Sequence, residues 1–280
     1  MNTTFRSAVL LTLPVIIFVA LLFVLPVAML LLSSFGLPDQ NGDIVPSLAA
    51  YDGIWNVRTA KVFLTSLAIS LSVALLTTAI GLQFALIVNK MRPTAASLLT
   101  VVLFLPLATS EIVIGYGWLI ILGRNGIVNM VLQGLGLISA PLSLLYSPAA
   151  VIVGLTGLLL PFSTLPILTA LSSIDSNLYL AGQSLGASRL RMAFEITFPL
   201  VRGAMLSGAA VVYALAMSAF AIPSVLGGQR VQTAPLNIYI NYINLFDHAS
   251  GSAVACMLLI LVMIPILLFA RGKNLLTGRV

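Results

Sequence analysis

The stretch PAAVIVGLTGLLLPFSTLPILTAL, residues 148–171, contains no charged residue, and only a few hydroxyl side chains interrupt its apolar residues. A helix needs roughly 20 mainly apolar residues to cross the hydrocarbon core of a bilayer, and this stretch is long enough. It lacks the strict alternation of polar and apolar residues that marks a strand of a membrane β-barrel. The stretch therefore predicts a membrane-spanning helix.

Five more stretches of this kind flank it, at about 8–33, 62–88, 97–122, 204–226 and 252–270. The first is too long for the apolar region of a signal peptide, which is roughly 7–15 residues, so we interpret it as a span. Backbone groups in lipid must be satisfied within the segment, which continuous helices achieve. The six stretches predict an all-α polytopic membrane protein, with residues 1–280 forming a single transmembrane domain.

The overall composition supports this fold class. Of the 280 residues, 60% are hydrophobic and 7% charged, whereas a soluble domain carries roughly 25% charged residues. Thirteen Lys and Arg against seven acids leave a net charge of +6, which we relate to the membrane rather than to nucleic acid. The single cysteine, Cys256, allows no internal disulfide, and no metal-ligand spacing is present. We expect neither a nucleic-acid partner nor a metal site.

The basic residues predict which face of the membrane each loop occupies. With six spans both termini lie on one side, and nine basic residues fall on that side against four on the other. The nine are Arg6, Lys90, Arg92, Arg189, Arg191, Arg202, Arg271, Lys273 and Arg279, and the four are Arg58, Lys61, Arg124 and Arg230. Because cytoplasmic loops carry the excess of Lys and Arg, both termini are predicted to be cytoplasmic, with outer loops at about 34–61, 123–147 and 227–251.

The loop between the fourth and fifth spans, residues 172–203, has helical signals of its own: SSIDSNLYLAGQSLGASRLRMAFEITFPLVRG. Asp175 can cap a short helix, and Gly186 supplies the left-handed residue at which a helix often ends. Ser188 can cap a second helix, and Pro199 is expected to interrupt it just before the fifth span. We call this segment the elbow and expect a helix-turn-helix in the cytoplasm.

Each elbow helix has an apolar face. Leu178, Ala181 and Leu185 share one face, and the second face consists of Leu190, Ala193, Phe194 and Thr197. An exposed apolar ridge of this kind predicts a protein partner.

Glu111 is the only acid inside a predicted span, and an ionisable group there suggests function because burying it unpaired is unfavourable. It could attract a cationic amine. Alternatively it lies near a membrane face, or bonds a neighbouring helix through Tyr116 or Gln83.

Small residues and prolines also recur within the spans. Pairs four residues apart, such as Ala204 with Gly208 and Gly81 with Ala85, allow close helix packing. The prolines are consistent either with bends around a pathway or with ordinary kinks; they are Pro14, Pro26, Pro106, Pro161, Pro166 and Pro223.

The sequence AGQSLGA, with FPL beginning twelve residues after Gly186, resembles the EAA loop of bacterial ABC importer permeases. Gly186 and Pro199 match the family pattern, whereas Leu180 stands where the family has glutamate. In that family the loop couples the spans to a cytoplasmic ATPase. The resemblance thus implies a coupling set of Ala181, Gly182, Gln183, Ser184, Leu185, Gly186, Ala187 and Pro199. The missing glutamate leaves the strength and partner choice of coupling open.

Three further stretches, 115–129, 140–167 and 220–228, resemble the spermidine/putrescine branch of these permeases. With the elbow, the resemblance covers roughly residues 97–270. The fifth span lines the central pathway in this family, which implies a substrate pathway of Tyr213, Met217, Ser218 and Phe220, to which we add Glu111. A pathway with at most one carboxylate suits a polyamine only if partner proteins supply further carboxylates; otherwise the solute is not a polycation.

The family resemblance also implies the partners and the location. A cytoplasmic ATPase dimer would hold ATP and magnesium, and a periplasmic binding protein would deliver the solute. A second permease subunit would complete the pathway, and the resemblance to the family favours a different chain over a second copy of this one. The chain would be a multi-pass protein of the bacterial inner membrane, surrounded by membrane lipid.

The chain itself shows no sequence signature of a catalyst. It has no G-x-x-x-x-G-K-[ST] motif, so we expect no nucleotide site, no bound cofactor and no enzymatic activity in this chain. A stand-alone secondary transporter or channel is the main alternative, and it predicts intramembrane charges and repeated broken helices. A polytopic membrane enzyme would require a cluster of reactive polar residues at one depth.

Overall fold

The computed structural model describes the backbone of residues 12–36, 48–54 and 56–277. The side chains of residues 49 and 268–277 are not part of that description. Arg6, Arg279 and the first residues of the predicted span at 8–33 lie outside the described residues, and so do the side chains of Arg271 and Lys273. The described residues form helices and connecting turns, with no strand among them, which confirms the all-α prediction.

Six helical segments of the described chain are long and apolar enough to cross a membrane. They are Thr12–Ser34 (α1), Val57–Val88 (α3), Glu111–Gly134, Pro148–Ser172 (α7), Arg189–Ser218 (α9) and His248–Leu267, the last being part of a helix His248–Thr277 (α11). The shorter helices include Ala49–Ile54 (α2), Pro93–Phe104 (α4), Ser176–Ser184 (α8) and Ala234–Tyr239 (α10). The predicted number of spans is confirmed.

The chain divides into two compact units, Met1–Ala60 with Asn237–Leu259, and Lys61–Leu236 with Ile260–Val280. In the first unit, the Tyr51 hydroxyl donates a 2.9 Å hydrogen bond to Ser34 Oγ at the end of α1. No side chain in the apolar window of α1 is buried. The single-domain organisation of residues 1–280 stays a prediction.

The core of the second unit lies where α3, α7 and α9 pack closely. A Cβ added to Gly208 would lie 2.9 Å from the Cα of Ser163, and one added to Gly81 would lie 2.8 Å from Thr164 Oγ1. Ser163 Oγ also donates across the interface to the Thr77 carbonyl, at 2.8 Å. The close packing predicted at Gly81 and Gly208 is confirmed, because glycine there lets the backbones approach.

The predicted third span at 97–122 is wrong as one continuous helix. Helix α4 tightens into a 3₁₀ turn at Leu105–Ala108, and Thr109 and Ser110 are extended before Glu111–Leu122 (α5) begins. Pro106 has no N–H to continue the α-helical hydrogen bonds, which explains why the helix ends there. The segment with spanning length is Glu111–Gly134, made of α5 and Ile127–Gly134 (α6).

The interruption predicted at Pro199 is present only as a change in hydrogen-bond pairing, because the helix does not end there. Helix α9 continues through Pro199. Shortly before the proline, Ala193–Thr197 form a π-helical turn, in which the Phe198 N–H donates to the Ala193 carbonyl. Widening the helix by one residue shifts its hydrogen bonds just before the proline, so the absent N–H does not break the helix. The second elbow helix and the fifth span are therefore one helix.

Two predicted outer loops contain helices, α6 in 123–147 and α10 in 227–251. Within the first, the fully buried Asn129 ties three backbone groups together. Its Nδ2 donates to the carbonyls of Gly123 and Leu142, both at 3.0 Å, and its Oδ1 accepts the Leu142 N–H at 2.8 Å. This loop is therefore an ordered part of the second unit.

Candidate functional site

The elbow ends its first helix with a complete Schellman motif. Asp175 Oδ1 accepts the Asn177 N–H at 2.9 Å and begins α8. At the other end the Gly186 N–H donates to the Gln183 carbonyl at 2.9 Å, and the Ala187 N–H donates to the Gly182 carbonyl at 3.0 Å. This pairing requires a left-handed residue, and Gly186 has φ +74°. The predicted cap at Asp175 and stop at Gly186 are confirmed.

The second helix of the elbow begins after Ser188, as the sequence predicts. Ser188 Oγ accepts the Arg191 N–H at 3.3 Å and starts α9. Tyr179 on α8 hydrogen bonds Thr197 on α9 through their hydroxyls at 3.0 Å. A Cβ at Gly182 would lie 3.3 Å from Ile196 Cδ1, so the two helices of the elbow meet closely at this glycine.

The predicted coupling residues surround the turn between the two helices of the elbow. Ala181, Gly182, Leu185 and Ala187 line a cleft of about 320 Å³ with Met192 and Ile196 of α9. Gln183 and Ser184 are exposed on the last turn of α8, and Pro199 is exposed in α9, the other helix of the elbow. The structure therefore gathers all of these residues except Pro199 at the turn.

Apolar side chains at the elbow face outward. Leu185 is 87% exposed, Leu190 73% and Phe194 71%, and Leu180, where the family has glutamate, is 58% exposed. Thr197, predicted to share the second apolar face, is instead buried and hydrogen bonds Tyr179. The predicted apolar ridge is present, with Leu185, Leu190 and Phe194 as its bulky members.

A second candidate site is a cavity of about 410 Å³ where two interrupted helices meet. Thr109 comes from the break between α4 and α5, and Ala219 from the extended end of α9, with φ −64° and ψ 131°. Non-helical backbone at membrane depth is tolerated where it lines a cavity. Both breaks in the helical backbone therefore contribute to the lining of this cavity.

Glu111, Ser218 and Phe220 of the predicted pathway line this cavity. Glu111 occupies the first position of α5, where the positive end of the helix dipole favours an anion. Within the described part of the chain it forms no hydrogen bond or ion pair, and the bonds considered with Tyr116 and Gln83 are not formed. Its carboxylate is exposed and available to a ligand.

The other two predicted pathway residues lie in the packed interior instead. The Tyr213 hydroxyl donates to the Leu261 carbonyl at 3.0 Å, and Ser70 Oγ lies 3.3 Å from the Met217 sulfur. Both side chains are almost fully buried. Thr109 and Phe162 also line the cavity, and the sequence did not predict them because only the helix break and the packing of α7 bring them there.

Three comparisons place this architecture among known proteins. A family model described as the binding-protein-dependent transport system inner membrane component matches residues 78–272. The spermidine/putrescine transport system permease protein PotB of Haemophilus influenzae is 32% identical over 82% of this chain and 80% of its own length. The protein of the same name from Escherichia coli strain K12 is 30% identical over 91% of this chain and 94% of its own.

The fold also matches a solved structure, that of a bacterial alginate ABC transporter in complex with an alginate pentasaccharide-bound periplasmic protein. The TM-score is 0.80 at 16% identity, with 97% of this chain and 95% of that chain covered. At this identity the likeness concerns the fold. With the family match over most of its length, the chain belongs to the binding-protein-dependent transport system inner membrane components and is a multi-pass permease subunit of such an importer.

Proposed function

We propose that this chain forms half of the pathway of an ATP-driven importer, with the elbow as the docking element for a separate ATPase dimer. The outward apolar ridge of Leu185, Leu190 and Phe194 carries this proposal. Bulky apolar side chains exposed together favour a protein partner, and the Schellman motif at Gly186 fixes their direction. ATP and magnesium would be held by that partner, not by this chain.

The mechanism follows as a population shift. Nucleotide-driven closure of the ATPase dimer would move the two elbows of the permease pair, one on this chain and one on a second permease. Because α9 runs unbroken from the elbow to Ser218, a displacement of the elbow would reach the cavity at Phe220 along one helix. Nucleotide and the periplasmic binding protein would favour one arrangement of the pathway, and hydrolysis would remove that bias.

The solute we propose is a polyamine or a related small organic nitrogen compound. Two relatives over most of the chain are named for spermidine and putrescine, and the cavity presents the free carboxylate of Glu111 beside Phe220. A carboxylate and an aromatic ring suit an organic ammonium group. Further carboxylates would come from the binding protein and from a second permease subunit. We favour a different chain as that second permease over another copy of this one.

The orientation is part of the proposal, with both termini and the elbow in the cytoplasm. The distribution of basic residues supports it. An engineered cysteine in the elbow should be labelled only after a membrane-impermeant thiol reagent is admitted to the cytoplasm.

Uptake of labelled putrescine and spermidine into vesicles containing the complete importer tests the function. We expect uptake only with the binding protein outside and ATP inside. Uptake by this chain alone, without ATP, would support the secondary-transporter alternative. If a non-cationic solute were taken up in an ATP-dependent manner and putrescine were not, the importer assignment would stand and the polyamine assignment would be rejected.

A further inference from the structure

A trough with a volume of about 320 Å³ runs between α3 and α9. Arg202, Met205, Ala209 and Tyr213 line it from one face of α9, and Ala74 and Leu75 from one face of α3. The small side chains of Ala74 and Ala209 form part of its lining, and Leu75 stands exposed at its edge. The trough belongs to neither the elbow cleft nor the cavity at Glu111.

Two of its polar lining groups are satisfied within the protein. The Thr78 hydroxyl donates to the Ala74 carbonyl at 2.7 Å, and the Tyr213 hydroxyl donates to the Leu261 carbonyl at 3.0 Å. Arg202 is different, since the described residues give its guanidinium no hydrogen bond and no ion pair. A half-buried guanidinium with five donors favours an anion as partner.

The length of the trough matches one leaflet of a bilayer. Arg202 is the next-to-last residue of the elbow and therefore lies at the start of the predicted fifth span, whereas Tyr213 is eleven positions further along α9 (213 − 202). At about 1.5 Å per residue this is about 16 Å, close to half of a hydrocarbon core of about 30 Å. The trough thus extends from the headgroup level towards the midplane of the bilayer.

We propose that this trough is a binding site for an anionic phospholipid of the leaflet on the elbow side. One acyl chain lies against Leu75, Met205 and Ala209, and the phosphate and its anionic headgroup meet Arg202. Basic pockets between helices at the cytoplasmic face suit anionic headgroups, whereas a zwitterionic headgroup brings a cation that Arg202 would repel. A second copy of this chain fits less well, because the only acid in its predicted spans, Glu111, lines a different cavity.

Native mass spectrometry of the purified full chain in detergent tests the proposal, with phosphatidylglycerol and phosphatidylcholine of identical acyl chains as probes. We expect phosphatidylglycerol to bind at least about fivefold more tightly, since one basic residue near the membrane surface contributes roughly that factor. Arg202→Gln should remove the preference, and Arg202→Lys should keep most of it. Arg92→Gln, a cation predicted at the same face that does not line the trough, should change nothing.

A second variant separates the acyl chain from the headgroup. Ala209→Phe should fill the trough and weaken both lipids, while Arg202→Gln weakens only phosphatidylglycerol. Equal affinity of the wild type for the two lipids, or an undiminished preference in Arg202→Gln, would overturn the proposal. A cross-link from Leu75→Cys to a co-purified second permease, with no lipid bound in the complex, would instead assign the trough to a subunit interface.

Discussion

The Ala187 N–H donates to the Gly182 carbonyl across 3.0 Å and closes the end of helix α8. Between these two residues the backbone turns through Gly186 at φ +74°. The same short segment carries Leu185, the most exposed member of the apolar ridge. The direction of that ridge therefore depends on one glycine.

Replacing Gly186 with valine should abolish solute-stimulated ATPase activity of the assembled importer while leaving membrane insertion intact. A β-branched residue in the left-handed region costs about 1–2 kcal/mol, which would shift or fray the turn. Gly186→Asn should retain most activity because asparagine tolerates this region. ATPase assays with and without solute measure the effect.

Gly136 supplies the matched control for that prediction. It also has positive φ, +68°, with nothing within 4 Å of an added Cβ, but it lies after α6 and far along the chain from the elbow. Gly136→Val should therefore strain the backbone equally and leave stimulation unchanged. Full stimulated turnover in Gly186→Val would count against the elbow as the coupling element.

Alanine substitution at Gly208 and at Gly203 should have opposite effects on stability, although both glycines lie on α9. At Gly208 the new Cβ would meet the Ser163 backbone at 2.9 Å, and such overpacking costs about 1–3 kcal/mol. At Gly203 no atom lies within 4 Å, so alanine should gain roughly 0.5–1 kcal/mol of helix propensity. Thermal unfolding in detergent checks both, and equal shifts would argue against the α7–α9 packing.

Asn129→Ala should lower the stability of the second unit. It would remove the side-chain partner of the Leu142 N–H and the Leu142 carbonyl, whereas the Gly123 carbonyl keeps the Gly126 N–H. The lost, partly buried hydrogen bonds should cost roughly 1–3 kcal/mol. The exposed neighbour Asn125 is the control, and Asn125→Ala should stay within about 0.5 kcal/mol of wild type. Similar unfolding temperatures for the two variants would contradict the network.

Glu111→Gln should raise the KM for a cationic solute by about tenfold, since a charge-assisted contact to the carboxylate is lost. Glu195 pairs with Arg191 on the exposed surface of the elbow, and Glu195→Gln should leave this KM unchanged. The comparison requires transport rates over a range of solute concentrations. An unaltered KM in Glu111→Gln would remove the carboxylate from the solute pathway.

The elbow could be predicted because its signals are local. Asp175, Gly186 and Ser188 each act on backbone groups within a few residues, so their roles depend little on the rest of the fold. The number of spans could be predicted for a related reason, since length and apolar composition determine whether a helix can cross lipid.

Other features depend on tertiary structure and could not be predicted from the sequence. Hydropathy carries no information on backbone geometry, so the apolar run through Pro106 did not reveal the helix break at Thr109. Conversely, Pro199 did not end its helix, because a π-helical turn precedes it. Tyr213 and Met217 lie one helical turn apart, and only packing against α3 and α11 shows that they face the interior. Helix-face assignment in a nearly uniformly apolar span needs the neighbouring helices.

The central claim is that the elbow docks a separate ATPase, and affinity purification of the tagged protein from detergent-solubilised membranes tests it most directly. Mass spectrometry should find an ATPase subunit with the wild type and lose it when Leu185, Leu190 and Phe194 are replaced by serine. Because these side chains are exposed, the variant should insert and unfold like the wild type. A wild-type protein that purifies alone and transports solute in liposomes without ATP would contradict the account.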